Sequence, residues 1–150
     1  MTNRLTKPRL GNADLTLRSS GAYYFGTTCL IRYKGRTSGK TFITPLSYAD
    51  TAGEVVIVGS KGGADTHPSW YLNVVAAKEV DFQIATQAFR ANWREPQGAE
   101  RQKIWEFMVD CYPFYAAYQA RTSRQMPVVM MNPTEAIPVF REDDMATTPV

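Results

Sequence analysis

Two short stretches of this sequence gather the residue types that hold an anion. The first is Ser60-Lys61-Gly62-Gly63, directly after the apolar run Val55-Val56-Ile57-Val58. A hydroxyl and an ammonium precede two glycines that can take positive φ, so a ligand can approach the backbone closely. Pro68 suits the first position of a helix, and a helix N-terminus with its unpaired donors favours negative charge. Strand, glycine loop and helix start together form a candidate anion cradle. On this stretch alone, a tight strand-to-helix loop without a ligand explains the pattern equally well. The second stretch, Gly35-Arg36-Thr37-Ser38-Gly39-Lys40, combines two glycines, two hydroxyls and two cations. Its spacing is not that of a Walker loop and no helix follows it. Standing alone it reads as a solvated hairpin tip. One hairpin separates it from Ser60 and Lys61, however, which strengthens the case that both loops face one ligand.

A third constellation is Tyr112, Tyr115 and Tyr118. In a helix these positions fall within about 120° of arc, so three phenols line one flank. A phenol face can close over a flat ring and offer a hydrogen bond or a proton. The competing account is an aromatic core stripe, less comfortable because each buried hydroxyl needs a partner. Elsewhere the chemistry is sparse. Glu100, Glu106 and Asp110 lie on the polar side of a helical pattern and read as a solvated face. His67 is the only histidine, and a histidine before a proline at a helix start reads as a loop or capping residue. Cys29 and Cys111 have no second cysteine at redox or ligand spacing, so no metal site is expected.

The elements that must position these residues follow from periodicity. Strands are expected over 28–33, 41–48, 54–59, 79–86, 87–95 and 127–131, and helices over 68–77, 99–111 and 114–121. Pro45 places the second strand at a sheet edge or a bulge. Residues 50–53 read as a hairpin turn. The third strand is apolar on both faces and so central. Trp70, Tyr71, Val74 and Val75 make a core-facing stripe on the first helix. The order β-β-β-α-β-β-α-α-β points to a mainly β, α+β domain: a six-stranded antiparallel sheet, strongly coiled or closed into a small barrel, with peripheral helices. The polar segment 1–21 reads as an N-terminal arm, 22–140 as the folded domain and 141–150 as a flexible tail.

At 150 residues the chain suits a single domain with a real core. A net charge of +3 fits an anionic small ligand, and no run of Lys and Arg points to nucleic acid. No apolar stretch is long enough to span a bilayer, and the N-terminus lacks the apolar core of a secretory signal. The expected compartment is the cytoplasm.

Gly35 to Lys40, Thr44-Pro45-Leu46, Gly59 to Ala64 and His67 to Asn73, followed by Tyr112, Pro113, Tyr115 and Tyr118, resemble the deazaflavin-dependent nitroreductase family in order and spacing. The resemblance implies a split β-barrel related to FMN-binding barrels, with coenzyme F420 as cofactor, FMN being the alternative. It implies hydride transfer from the reduced deazaflavin to an electron-poor substrate: an activated alkene, a quinone or a nitro compound. A non-catalytic carrier of deazaflavin or a hydrophobic ligand is the further competitor. By position, Arg36, Thr37 and Ser38, with Lys61, would hold the phosphate and acidic tail. Phe42, Ile43, Thr44, Pro45, Leu46 and Ser47, with Val58, Gly59, Ser60 and Lys61, would line the ring. Ser69, Trp70, Tyr71, Leu72 and Asn73 would sit beside it. Tyr115 would reach the cofactor, Tyr112 and Tyr118 would shape the substrate pocket, and Ser60 would donate a hydrogen bond near the reacting centre. The family commonly carries basic residues where Thr37 and Phe42 stand, so the grip on the tail should be weaker here. Related barrels often dimerise, and peripheral contact with a membrane is compatible with this picture.

Overall fold

The computed structural model describes residues 28–144, so the expected arm at 1–21 and most of the expected tail lie outside the described residues. The chain forms β1 (Thr28–Lys34), β2 (Thr41–Ser47), β3 (Ala49–Thr51), β4 (Glu54–Val58), α1 (Ser69–Val75), β5 (Glu79–Ile84), β6 (Gln87–Arg94), α2 (Gly98–Cys111), α3 (Phe114–Ala120) and β7 (Val128–Ile137). The expected order holds, with seven strands instead of six. The stretch read as one strand and a four-residue turn divides at Tyr48, and Asp50 and Thr51 belong to β3. Only Ala52 and Gly53 make the turn, with φ of 52° and 86°. Two successive positive φ values match the right-handed twist of the flanking strands.

All strand pairs are antiparallel, in the order β2-β1-β5-β6-β7-β4-β3. β2 and β3 therefore occupy opposite edges, yet only Tyr48 separates them along the chain. Consecutive Cα atoms lie about 3.8 Å apart, so the sheet must curl until its edges meet. The closure is partial. Continuing the Ala49–Val56 register by two residues would set Ser47 against Val58, and no such pairing exists among the described residues. The barrel wall parts there, between β2 and the end of β4.

Alternation along β4 explains why its apolar run is continuous. Val55 and Ile57 face an inner core with Ile31, Phe82, Phe89, Val129 and Met131, capped by Trp70 and Val74 of α1. Val56 and Val58 face a second core built with Met108 and Cys111 of α2, Tyr115 of α3 and Tyr112 between the two helices. Each fully buried large side chain contributes about 1.5–3 kcal/mol.

β2 is an edge strand, one of the two placements that Pro45 allowed. Gly35 N–H donates to the Lys40 carbonyl at 2.8 Å, a hydrogen-bonded position that closes the hairpin. Counting back through the register, Leu30 and Pro45 form a non-hydrogen-bonded pair. The missing N–H of Pro45 thus costs the ladder nothing. On the same phase Thr41, Ile43 and Ser47 turn their backbone amide and carbonyl groups toward the open side of the wall.

Beyond β7 the chain returns across β1. The Arg32 guanidinium lies 4.4 Å from the Phe140 ring centroid and bonds Asp144 at 2.8 Å, which docks the 3-10 turn Glu142–Asp144. Among the described residues no helix is long and apolar enough to cross a membrane.

Candidate functional site

The loop after β4 is the one that the sequence offered as a candidate anion cradle, and its Ser60 amide bonds the Val58 carbonyl at 3.0 Å. Gly59 donates its N–H to the Pro127 carbonyl at 2.8 Å, and a Cβ there would lie 2.8 Å from the Pro127 ring. Ser60 is right-handed (φ −83°, ψ −41°), while Lys61 turns to φ 45°, Gly62 to 63° and Gly63 to 86°. A right-handed residue followed by a left-handed one aims successive amides at one point, the geometry of an anion-binding nest. The Lys61 and Gly62 amides meet no acceptor among the described residues. A Cβ on Gly62 would find no atom within 4 Å, so the space beside it is open. Left-handed backbone at a lysine costs on the order of 1–2 kcal/mol, strain of the kind that clusters at functional sites. The Lys61 ammonium reaches Thr66 Oγ1 at 3.1 Å, and Ser60 is half-buried, its hydroxyl without a partner among the described residues.

What holds this loop was not evident from the sequence. Arg124 donates from Nε to the Ala64 carbonyl (2.7 Å), from one terminal nitrogen to Gly59 (3.1 Å) and from the other to Ser60 (2.9 Å). It also bonds His67 Nδ1 at 3.0 Å. A guanidinium only donates, so Nδ1 accepts and carries no proton. Arg121 bonds the Gly62 carbonyl at 3.0 Å, and Thr122 bonds Asp65 at 2.8 Å. Two arginines in a helix-to-strand linker were the only signal, and neither periodicity nor turn chemistry marks them.

His67 is the loop residue the sequence suggested, its ring 4.9 Å from that of Tyr71. The Tyr71 hydroxyl donates to both Glu95 oxygens at 2.9–3.0 Å. Burial first, then the Glu95 hydrogen bond and charge, push this phenol up to about 12. Of the four residues expected on the core stripe, Trp70 and Val74 are buried and Tyr71 and Val75 are half-buried. Asn73 is buried as well, and its Oδ1 accepts from the Arg36 amide at 2.8 Å and guanidinium at 2.9 Å.

Through that contact both loops attach to α1. The first leads into Ser69, and the second is tied to Asn73, one turn later and about 6 Å along the axis. Arg36, Thr37, Ser38 and Lys40 are exposed, and Ser38 Oγ accepts the Lys40 amide at 3.1 Å. Along β2, Phe42, Ile43, Thr44, Leu46 and Ser47 are half-buried and Pro45 is exposed. Phe42 packs 5.9 Å from Tyr33, whose hydroxyl meets Thr44 Oγ1 at 2.8 Å. Val58 and Gly59 are buried, Ser69 is exposed and Leu72 is half-buried.

The phenols separate into two kinds. Tyr112 and Tyr115 are 2% and 3% exposed within the second core. The Tyr112 hydroxyl donates to the Tyr48 carbonyl at 2.6 Å, which gives a buried O–H its acceptor. Burial, and then neighbouring Tyr112, push the Tyr115 phenol well above its ordinary range. Tyr118 is half-buried beneath the Arg121 guanidinium at 5.3 Å. Its carbonyl lies 2.5 Å from where a Gly63 Cβ would stand, so the end of α3 rests directly on the cradle loop. Phe114, read from the sequence only as the start of the last helix, is 41% exposed and contacts the rings of Tyr112, Tyr115 and Tyr118 at 4.8–5.7 Å.

The arrangement can grip an oxyanion through amides and ammonium, and can bond the edge of a planar ring through the unpaired side of β2. No group of metal-ligating side chains exists among the described residues.

Residues 17–133 match the family model described as F420H(2)-dependent quinone reductase. The F420H(2)-dependent quinone reductase Rv1261c of Mycobacterium tuberculosis is 30% identical over 105 residues, 68% of this chain and 70% of its own. A solved F420-H2 dependent reductase, FDR-A, superposes with a TM-score of 0.65 at 37% identity, covering 71% of this chain and 94% of that one. A second structure, described as a domain-swapped dimer, gives 0.66 at 37% identity over 71% of this chain and 80% of its own.

Proposed function

The chain belongs to the F420H(2)-dependent quinone reductase family, and on that premise we propose that it reduces a quinone with F420 held between β2 and the Val58–Lys61 end of β4. It is an F420-dependent oxidoreductase on a split barrel. The observation that carries the placement is the right-to-left-handed step at Ser60–Lys61, with two amides lacking acceptors and open space before Gly62. Those donors suit a phosphate, and the open backbone edge of β2 suits a planar ring with polar groups along one side, so the residues fit this cofactor.

When bound, reduced F420 supplies the hydride. The protein supplies position and protons. Lys61 and the Lys61 and Gly62 amides hold the phosphate, while Arg36 and Ser38 hold the acidic tail. Ile43 and Ser47 bond the ring edge from the free side of β2. Ser60 Oγ, with no protein partner among the described residues, donates to the oxygen that gains charge on the acceptor. Tyr118, the most accessible of the three phenols, borders the substrate; Tyr112 and Tyr115 shape that wall from behind. An alkene or nitro compound would use the same site, but a quinone is favoured because the relatives bear that activity in their names. The catalytic domain is taken as 22–140, and its assembly as a homodimer, the latter because a similar structure is described as a dimer.

The test is a fluorescence titration of one preparation with F420 and with FMN, followed by rapid mixing of the F420H2 complex with a quinone, an enone and a nitroaromatic. F420 binding and preferential oxidation by the quinone support the reading. Binding of FMN alone, or F420 binding with no turnover on any acceptor, overturns it. Light scattering on the eluting protein reports the dimer.

A further inference from the structure

We infer that Arg124 is a positioning residue for the cofactor site: it aims the cradle amides at the phosphate without touching the ligand itself. The inference rests on the cradle reading above and adds the device that sets its direction. A trans peptide is planar, with its carbonyl and the following N–H pointing opposite ways. Arg124 holds the Ser60 carbonyl at 2.9 Å, so the Lys61 N–H in the same peptide plane is turned away from Arg124, toward the open side. Gly63 N–H bonds the same carbonyl at 2.8 Å and fixes it from a second direction. The Lys61 carbonyl is taken by Ala64 N–H at 3.1 Å, which turns the Gly62 N–H outward in its turn. Ala64 is itself held through its own carbonyl by Arg124 Nε at 2.7 Å. One planar fork therefore governs both amides that lack acceptors.

The fork also explains how Lys61 keeps a left-handed backbone, at φ 45°. Released from Arg124, the Ser60–Lys61 peptide can flip and relieve that strain, burying the Lys61 amide and presenting a carbonyl to the phosphate instead. A lysine at position 124 keeps the charge but offers a point donor in place of a fork, so it cannot serve Gly59, Ser60 and Ala64 together. His67 Nδ1 occupies the remaining reach of the guanidinium at 3.0 Å and keeps it from swinging toward the groove.

The experiment compares wild type, Arg124→Gln, Arg124→Lys and Lys61→Ala by thermal melting and by fluorescence titration with two ligands. These are F420 and its phosphate-free ribityl deazaflavin, which keeps the ring and lacks the anion. Both Arg124 variants are expected to bind F420 roughly tenfold or more weakly, as loss of charge-assisted hydrogen bonds implies. Their affinity for the phosphate-free ligand should match wild type. Equal losses for both ligands would mean a merely structural role, and no loss for either would mean no role; each overturns the inference. Should the variants fail to fold, amide spectra of wild type decide: inorganic phosphate must move the Lys61 and Gly62 signals, and unmoved signals overturn the proposal. Lys61→Ala separates the layers. Weakened F420 binding there with none in Arg124→Gln removes only the positioning role, whereas unchanged binding in Lys61→Ala removes the cradle reading as well.

Discussion

Gly62 and Gly63 stand side by side with φ of 63° and 86°, yet an added methyl group meets different surroundings at each. At Gly62 a Cβ finds no atom within 4 Å; at Gly63 it lies 2.5 Å from the Tyr118 carbonyl oxygen and 3.1 Å from Arg121 Cβ. Gly62→Ala therefore adds backbone strain alone, about 1–2 kcal/mol. Gly63→Ala adds the same strain and a collision. Moving the contact from 2.5 Å to an ordinary 3.4 Å needs a retreat of 0.9 Å by a carbonyl that also accepts Arg121 N–H at 3.1 Å. Overpacking of this kind costs about 1–3 kcal/mol, for a total of about 2–5. At about 2–4 °C per kcal/mol for a domain of this size, Tm should fall by about 2–8 °C in the first variant and about 4–20 °C in the second. Circular dichroism melts of the two proteins, side by side, measure the difference. Adding Arg121→Ala to Gly63→Ala should restore little, because the carbonyl and the β-carbon both remain. Equal losses at the two positions, or a larger one at Gly62, would refute the claim that α3 rests on the cradle loop.

Other consequences are more direct. Lys61→Ala should raise the F420 dissociation constant about tenfold or more, as loss of a charged contact worth about 1.5–3 kcal/mol implies, with Tm nearly unchanged; equilibrium fluorescence reads this. Tyr112→Phe removes a buried hydrogen bond of 2.6 Å to the Tyr48 carbonyl and should cost about 1–2 kcal/mol in urea denaturation, lowering the midpoint without changing the slope. The Tyr71 phenol, pushed up to about 12 from an ordinary 10, contributes stability that is fully present below pH 10 and is lost as pH rises through 12, because the unfolded phenol ionises first. Wild type should therefore lose more Tm than Tyr71→Phe between pH 10 and 12, and parallel curves would show that the shift is absent.

Much of the fold was legible from local requirements that single residues announce. Pro45 lacks an N–H and so had to stand where the ladder asks for none, which is the free edge of β2. Val55 to Val58 are apolar without alternation and so had to be covered on both faces. Gly62 and Gly63 marked a loop with positive φ. The limits of β2 were harder to see, because nothing local distinguishes a strand that continues from one that bends at Tyr48 to join the far edge of the same sheet.

Tertiary structure alone decided what orients the site. Arg124 reaches the Gly59 carbonyl across 65 residues of chain and Arg36 reaches Asn73 across 37, so neither contact leaves a periodic or turn signature. The three phenols look alike in sequence, yet α2 and the outer face of β4 bury Tyr112 and Tyr115 and leave Tyr118 half-exposed at the loop. Sequence determines what each backbone position can tolerate, because φ preference, a missing donor and side-chain period are properties of near neighbours. Which distant side chain turns a peptide plane, and so which way an amide faces, depends on closure of the sheet and on nothing shorter.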